Sequence, residues 1–162
     1  MVARDGGSLA HLNSISCVEN TSFCGAVGGS KNAFFSTNGG LSWTTEPNGI
    51  LSGEVGLNGV SCASITTCFA VGDKGAITKT TNGGVTWNSL QTSVTDDSLN
   101  LAAVSCPLKG TCFAVGGNAI PATTDGGSTW SKQLSGFSSQ AISCPSTSDC
   151  FAVGSNLILA NH

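Results

Sequence analysis

The chain has 162 residues, of which 40% are hydrophobic and 9% charged, with a formal net charge of −3. Sparse charge and a single arginine, Arg4, leave no basic patch and exclude a nucleic-acid-binding reading. The apolar content is too high for a disordered chain, and no apolar run approaches the ~18 residues of a membrane span.

At the N-terminus, Met1-Val2-Ala3-Arg4-Asp5 offers no apolar signal-peptide core, so the expectation is a processed or truncated form of an exported protein. Export is argued by the cysteines. All eight fall in pairs, Cys17/Cys24, Cys62/Cys68, Cys106/Cys112 and Cys144/Cys150. An even count in regular pairs points to disulfides made in an oxidising compartment, extracellular or at the cell surface. Free core thiols and a metal site are the weaker alternatives. The spacing is wider than the close pairs that metal sites use, and His11 and His162 are the only histidines, so no metal or other cofactor is expected.

The pairs sit in a repeat. Cys17–Trp43 reads CVENTSFCGAVGGSKNAFFSTNGGLSW, and Cys62–Trp87 reads CASITTCFAVGDKGAITKTTNGGVTW. Cys106–Trp130 reads CPLKGTCFAVGGNAIPATTDGGSTW, and a fourth copy starts at Cys144. The repeat selects the local cysteine pairing, each bridge closing one short loop. Repeat starts near Cys17, Cys62, Cys106 and Cys144 give a period near ~40 residues, with several short strands per unit, which is the signature of propeller blades. No stretch sustains a helical apolar period. The expected fold is therefore all-β, a single domain over residues 1–162, with about four blades of four antiparallel strands.

In the second unit the strands are expected at Leu57–Cys62, Cys68–Val71, Ala76–Lys79 and Val85–Ser89. The first hairpin then sets Cys62 across from Cys68. Phe69-Ala70-Val71-Gly72 and its counterparts read as buried sheet, with small residues that let blades approach. Trp43, Trp87 and Trp130 recur at one blade position and read as core. The connections 44–56 and 91–99 are polar and are expected to run over the surface. Arg4–Ala10 aligns with Thr124–Trp130, and Leu12–Cys17 with Leu57–Cys62. Residues 1–16 are thus expected to complete the fourth blade, in cis as a four-bladed ring, or in trans as an eight-bladed dimer or head-to-tail polymer.

Ser36–Trp43 (STNGGLSW), Thr80–Trp87 (TTNGGVTW) and Thr123–Trp130 (TTDGGSTW) resemble the Asp-box, or BNR repeat, of sialidase-like propellers. Asn38 and Asn82 replace the motif's aspartate, Asp125 keeps it, and the N-terminal copy keeps Asp5 but has Ala10 in place of tryptophan. The resemblance implies a structural box on the turn between the third and fourth strands, away from any active site. Sialidase chemistry in that family implies three arginines and a tyrosine; this chain has one arginine and no tyrosine, which excludes it. Other Asp-box hydrolases use two carboxylates. Asp73 and Asp149 fall in inter-strand loops, but nothing marks them as a pair, and no catalytic residue is assigned. The chain is also similar to photosystem II assembly-factor propellers, whose basic surface it lacks, so the fold carries over and the role does not.

Asn20-Thr21-Ser22 is a candidate N-glycosylation sequon. The function expected is a non-catalytic extracellular structural or binding module that meets a protein partner or itself. The alternatives are a carbohydrate-binding propeller, marked by exposed aromatics, and a glycoside hydrolase, marked by paired carboxylates.

Overall fold

Runs of four to six residues that alternate or fill with Val, Ile, Phe and Ala, separated by Gly-rich turns, favour short antiparallel strands. The computed structural model describes residues 11–29, 32–50, 55–90, 92–94, 98–136, 138–155 and 157–161. Blade 1 comprises β1 (Leu12–Cys17), β2 (Cys24–Gly28), β3 (Asn32–Ser36) and β4 (Thr44–Pro47). Blade 2 comprises β5 (Leu57–Cys62), β6 (Cys68–Gly72), β7 (Ile77–Thr80) and β8 (Asn88–Ser89). Blade 3 comprises β9 (Ala103–Leu108), β10 (Thr111–Val115), β11 (Ala119–Thr123) and β12 (Ser131–Ser135). Blade 4 has β13 (Ala141–Ser143), β14 (Cys150–Gly154) and β15 (Leu157–Asn161). Every sheet is an up-and-down antiparallel meander in chain order.

Disulfides join Cys17 to Cys24, Cys62 to Cys68, Cys106 to Cys112 and Cys144 to Cys150, with Cα atoms 4.0–4.1 Å apart. Each bridge spans the first hairpin of its blade. Register explains the pairing in blades 1 and 2, since Cys17 lies directly opposite Cys24 and Cys62 opposite Cys68. At the far end of the second strand, the glycine that closes Ala-Val-Gly meets the chain entering the same blade. A Cβ on Gly28, Gly72, Gly116 or Gly154 would fall on the carbonyl oxygen of residue 11, 56, 100 or 138. Only glycine permits that approach.

The core lies between blades. Val27 and Ala33 of blade 1 pack with Leu57, Val60, Ala70 and Trp87 of blade 2. Phe69, Val71 and Ile77 of blade 2 pack with Leu101, Val104, Ala114 and Trp130 around blade 3. Val of each repeat thus reaches forward, as does the Phe that blade 1 replaces with Gly25, while Ala turns back and lets the preceding blade close in. The first strands stack, β1 on β5, β5 on β9 and β9 on β13. One hydrogen bond recurs at each joint: the backbone N–H groups of Cys62, Cys106 and Cys144 donate to Ser16, Ser61 and Ser105 Oγ, all at 3.0 Å.

Several expectations need correction. Cys112 is bonded to Cys106 as expected, but the two do not face each other as a simple register pair. Thr111 lies opposite Leu108 and Phe113 opposite Ser105, so Cys112 falls at a bulge, facing Cys106 and Pro107 together. The physical reason is Pro107, which has no N–H to give to the ladder. On its other side Cys112 pairs regularly with Thr123 of β11, and it is fully buried. The fourth strand starts after the tryptophan, at Asn88 rather than Val85. The turn extends further than expected because the Thr86 N–H donates to Asn82 Oδ1 at 2.9 Å instead of joining a strand. The connections expected on the surface enter the core. Asn48 is buried, and its carbonyl accepts from Thr78 Oγ1 at 2.7 Å. Val94 and Leu99 pack between blades 2 and 3. Leu12–Cys17 is the first strand of blade 1, paired with β2, as its alignment with Leu57–Cys62 predicts, so the stretch from Leu12 onward in residues 1–16 belongs to blade 1 and not to blade 4. Asp5, the rest of Arg4–Ala10 and His162 lie outside the described residues. Among the described residues, no packing of the β1–β5 kind joins β13 to β1, and the four blades follow an arc.

Candidate binding face

In an up-and-down blade the first hairpin and the turn between the third and fourth strands share one end. The disulfide staples the hairpin at that end. The turn is held by its own polar side chains. In blade 1, Gly40 N–H donates to Ser36 Oγ at 2.9 Å and Ser42 N–H to Asn38 Oδ1 at 3.0 Å. In blade 2, Gly84 N–H donates to Thr80 Oγ1 at 3.0 Å, and Asn82 Nδ2 donates to Thr86 Oγ1 at 2.9 Å. In blade 3 the aspartate reverses the last bond, with Thr129 Oγ1 donating to Asp125 Oδ2 at 2.6 Å. The Thr129 hydroxyl, then its N–H, hold the Asp125 carboxyl down at about 2. Gly39, Gly83 and Gly126 N–H then donate to the carbonyls of Ser22, Thr66 and Gly110, each at 2.9 Å, which ties turn to hairpin.

From the turns, Trp87 and Trp130 reach back into the preceding blade and are buried. Trp130 meets Phe69 edge-on, with centroids 6.0 Å apart. Lys79 Nζ lies 5.3 Å from the Phe69 centroid and donates to the Gly126 carbonyl at 2.7 Å. Trp43, in the first blade, is half-buried.

The stapled end carries four exposed aliphatic side chains, Leu41, Ile65, Val85 and Leu108. Between blades 1 and 2 the same end opens into a cleft of about 430 Å³ lined by Phe23, Phe35, Thr37, Ile65, Asn82 and Val85. A second cavity, about 370 Å³, lies between blades 3 and 4 against Phe113, Ile120, Gln133, Ile142 and Leu159.

No protein-family model matches the sequence, and no curated protein is significantly similar to it. Solved structures match the fold. YCF48 from Cyanidioschyzon merolae aligns at a TM-score of 0.74 and 14% identity, over 94% of this chain and 51% of that one. YCF48 bound to D1 peptide aligns at 0.69 and 18%, over 91% of this chain and 53% of that one. The GH74 enzyme of Niastella koreensis aligns at 0.67 and 20%, over 87% and 25%. The fold is that of a β-propeller. This propeller chain spans about half the length of the YCF48 chains it matches.

Most residues singled out from the sequence gather at the stapled end of the propeller: the four disulfides, Asn38, Asn82, Asp125 and the three tryptophans. Asn20 is exposed in the first stapled hairpin with φ +57°, a conformation asparagine tolerates better than most residues. The two loop carboxylates are not brought together. Asp149 sits at the stapled end, accepting from Ser146 Oγ at 2.6 Å. Asp73 lies in the turn between β6 and β7, at the opposite end of the blades, accepting from Asn58 Nδ2 at 3.0 Å. Sequence reading missed Leu41, Ile65, Val85 and Leu108. The available signal was an apolar residue at the tip of GGLSW and GGVTW, where GGSTW has Ser128.

Proposed function

We propose that the chain is a non-catalytic, exported protein-binding module whose stapled end is the docking face. The observation that carries the reading is the set of exposed aliphatic side chains at the stapled end, Ile65 and Leu108 on disulfide-closed hairpins and Leu41 and Val85 on the hydrogen-bonded turns. Aliphatic residues on a preorganised rim suit peptide side chains, because little ordering entropy remains to be lost on binding. A sugar platform would present aromatic faces, and here Phe23, Trp87 and Trp130 are buried instead. Hydrolysis by paired carboxylates is disfavoured by Asp73 and Asp149 lying at opposite ends. YCF48, of the same fold, is a peptide binder in the complex with D1 peptide. Eight half-cystines in four local bridges support an oxidising, extracellular setting. The turns are read as Asp-box turns in which asparagine substitutes twice for aspartate.

The test is selection of peptides from a random displayed library on the oxidised protein, followed by titration against Ile65→Asp and Val85→Asp. Binding to the parent that weakens at least about tenfold in both variants supports the reading. Peptides that bind all three proteins equally, or release of reducing sugar from a panel of polysaccharides, would overturn it.

A further inference from the structure

The two ends of the arc expose side chains whose counterparts are covered at the internal joints, fully between blades 1, 2 and 3 and in part between blades 3 and 4. Val27, Val71 and Val115 point forward from the second strand of blades 1, 2 and 3 and are each 0% exposed, whereas Val153 of blade 4 is 42% exposed. Ile158 lies opposite Val153, as Ile77 lies opposite Val71, yet Ile77 is 1% exposed and Ile158 72%. Cys150 and Ala152, which alternate with Val153 and face blade 3, are buried, so one side of this sheet is covered and the other open. At the other end Leu12 and Ile15 are 54% and 61% exposed, against 0% and 6% for Leu57 and Val60. Further out on blade 1, Ala26 and Phe34 are buried, which confines its open patch to the first strand and the half-buried Trp43.

We propose that the open side of blade 4 docks on the open side of blade 1 of a second copy of this chain, and that two copies close head to tail into a ring of eight blades. The complement of each face is already in the chain. Leu12-Asn13-Ser14-Ile15-Ser16-Cys17 repeats Leu57-Asn58-Gly59-Val60-Ser61-Cys62, which blade 1 accepts on its forward side. At the new joint the Cys17 N–H meets Ser143 Oγ, repeating the bond made by Cys62, Cys106 and Cys144. Two copies bring eight blades, the upper end of the usual propeller range. Each copy then supplies about half a turn, and a head-to-tail contact whose rotation closes gives a ring rather than a fibre. Aliphatic side chains left open on two sheet faces are what such a contact removes from water.

The experiment measures the mass of the oxidised full chain, 16.1 kDa, by sedimentation velocity and mass photometry over a wide concentration range. The parent is expected at twice the chain mass. Ile15→Asp and Val153→Asp each spoil both joints of a pair and should sediment as single chains with unchanged circular dichroism and no free thiol. Mixing the two variants restores a pair through the one joint that stays intact. If either aspartate variant loses its circular dichroism, Ile15→Ser and Val153→Ser replace it and are expected to weaken pairing about tenfold or more. A single-chain parent overturns the proposal. So does pairing lost in one variant and kept in the other, which means like faces meet, and so does a ladder of larger species. Peptide titration of the same samples separates this outcome from the fate of the stapled-end reading, which a single-chain parent would leave untouched.

Discussion

At the scale of single residues, the three turns solve one problem with two chemistries. Asparagine accepts a backbone N–H through its oxygen and donates its amide to Ser42 or Thr86. Aspartate accepts both times, so Thr129 must donate. Only the aspartate makes the turn sensitive to pH. Its folded pKa, about 2, lies below the ordinary 3.8, so the stabilisation is present above about pH 4 and lost as pH falls from about 4 to about 2. Asp125→Asn should melt with a flatter acid limb than the parent in scans from pH 6 to pH 2; superimposable limbs would show that the turn contributes nothing through Asp125. Trp130 offers a second residue-scale prediction. Among the described residues its buried indole N–H has no acceptor, so Trp130→Phe should cost little beyond lost area. Trp130→Ala opens a cavity beside Phe69 and should cost about 3–5 kcal/mol in denaturant unfolding.

At the scale of elements, each stapled hairpin is a short covalent loop. Replacing Cys62 and Cys68 together by serine should destabilise the chain by roughly 2–3 kcal/mol in the chain-entropy picture, read from urea midpoints. Gly72→Ala should destabilise as well, since the added carbon meets the Gly56 carbonyl, and a midpoint equal to the parent's would refute that account. The first three strands of each blade were legible in the sequence because β-branched and aromatic runs stop at glycine or at a cysteine. The bulge at Cys112 was not, because equal cysteine spacing in blades 2 and 3 hides the proline that breaks the ladder in only one of them. The fourth strand was not legible either. Val85-Thr86-Trp87 has strand composition, but the Asn82 side chain claims the Thr86 N–H and holds those residues in the turn. The connections 44–56 and 91–99 read as polar because Asn, Ser and Thr outnumber their apolar residues, yet Asn48, Val55, Val94 and Leu99 are buried and Ile50 packs against the core. For the candidate face, the turn scaffold was legible and the exposed tips were not, because a single Leu or Val in a polar loop carries no period.

At the scale of the whole molecule, the period of roughly 40 residues gave away the blades but not the arc. Identical repeats predict identical joints, and nothing in Phe-Ala-Val-Gly distinguishes the copy that has a neighbour from the copy that lacks one. Only the burial of Val71 set against the exposure of Val153 does so. The joints themselves can be tested through the serine that precedes each first cysteine. Ser61→Ala removes the acceptor of the Cys106 N–H and should cost about 1–3 kcal/mol, whereas Ser143→Ala should cost less in a single-chain variant such as Ile15→Asp. That recurring serine has a consequence for how such chains change over time. Since Ser16, Ser61 and Ser105 each offer the same acceptor to the same cysteine amide one repeat later, a blade recognises its neighbour by a contact common to all of them. Duplicating or deleting the stretch 57–100 in the gene would join like to like, so blade number can drift by unequal recombination without any new contact having to be invented.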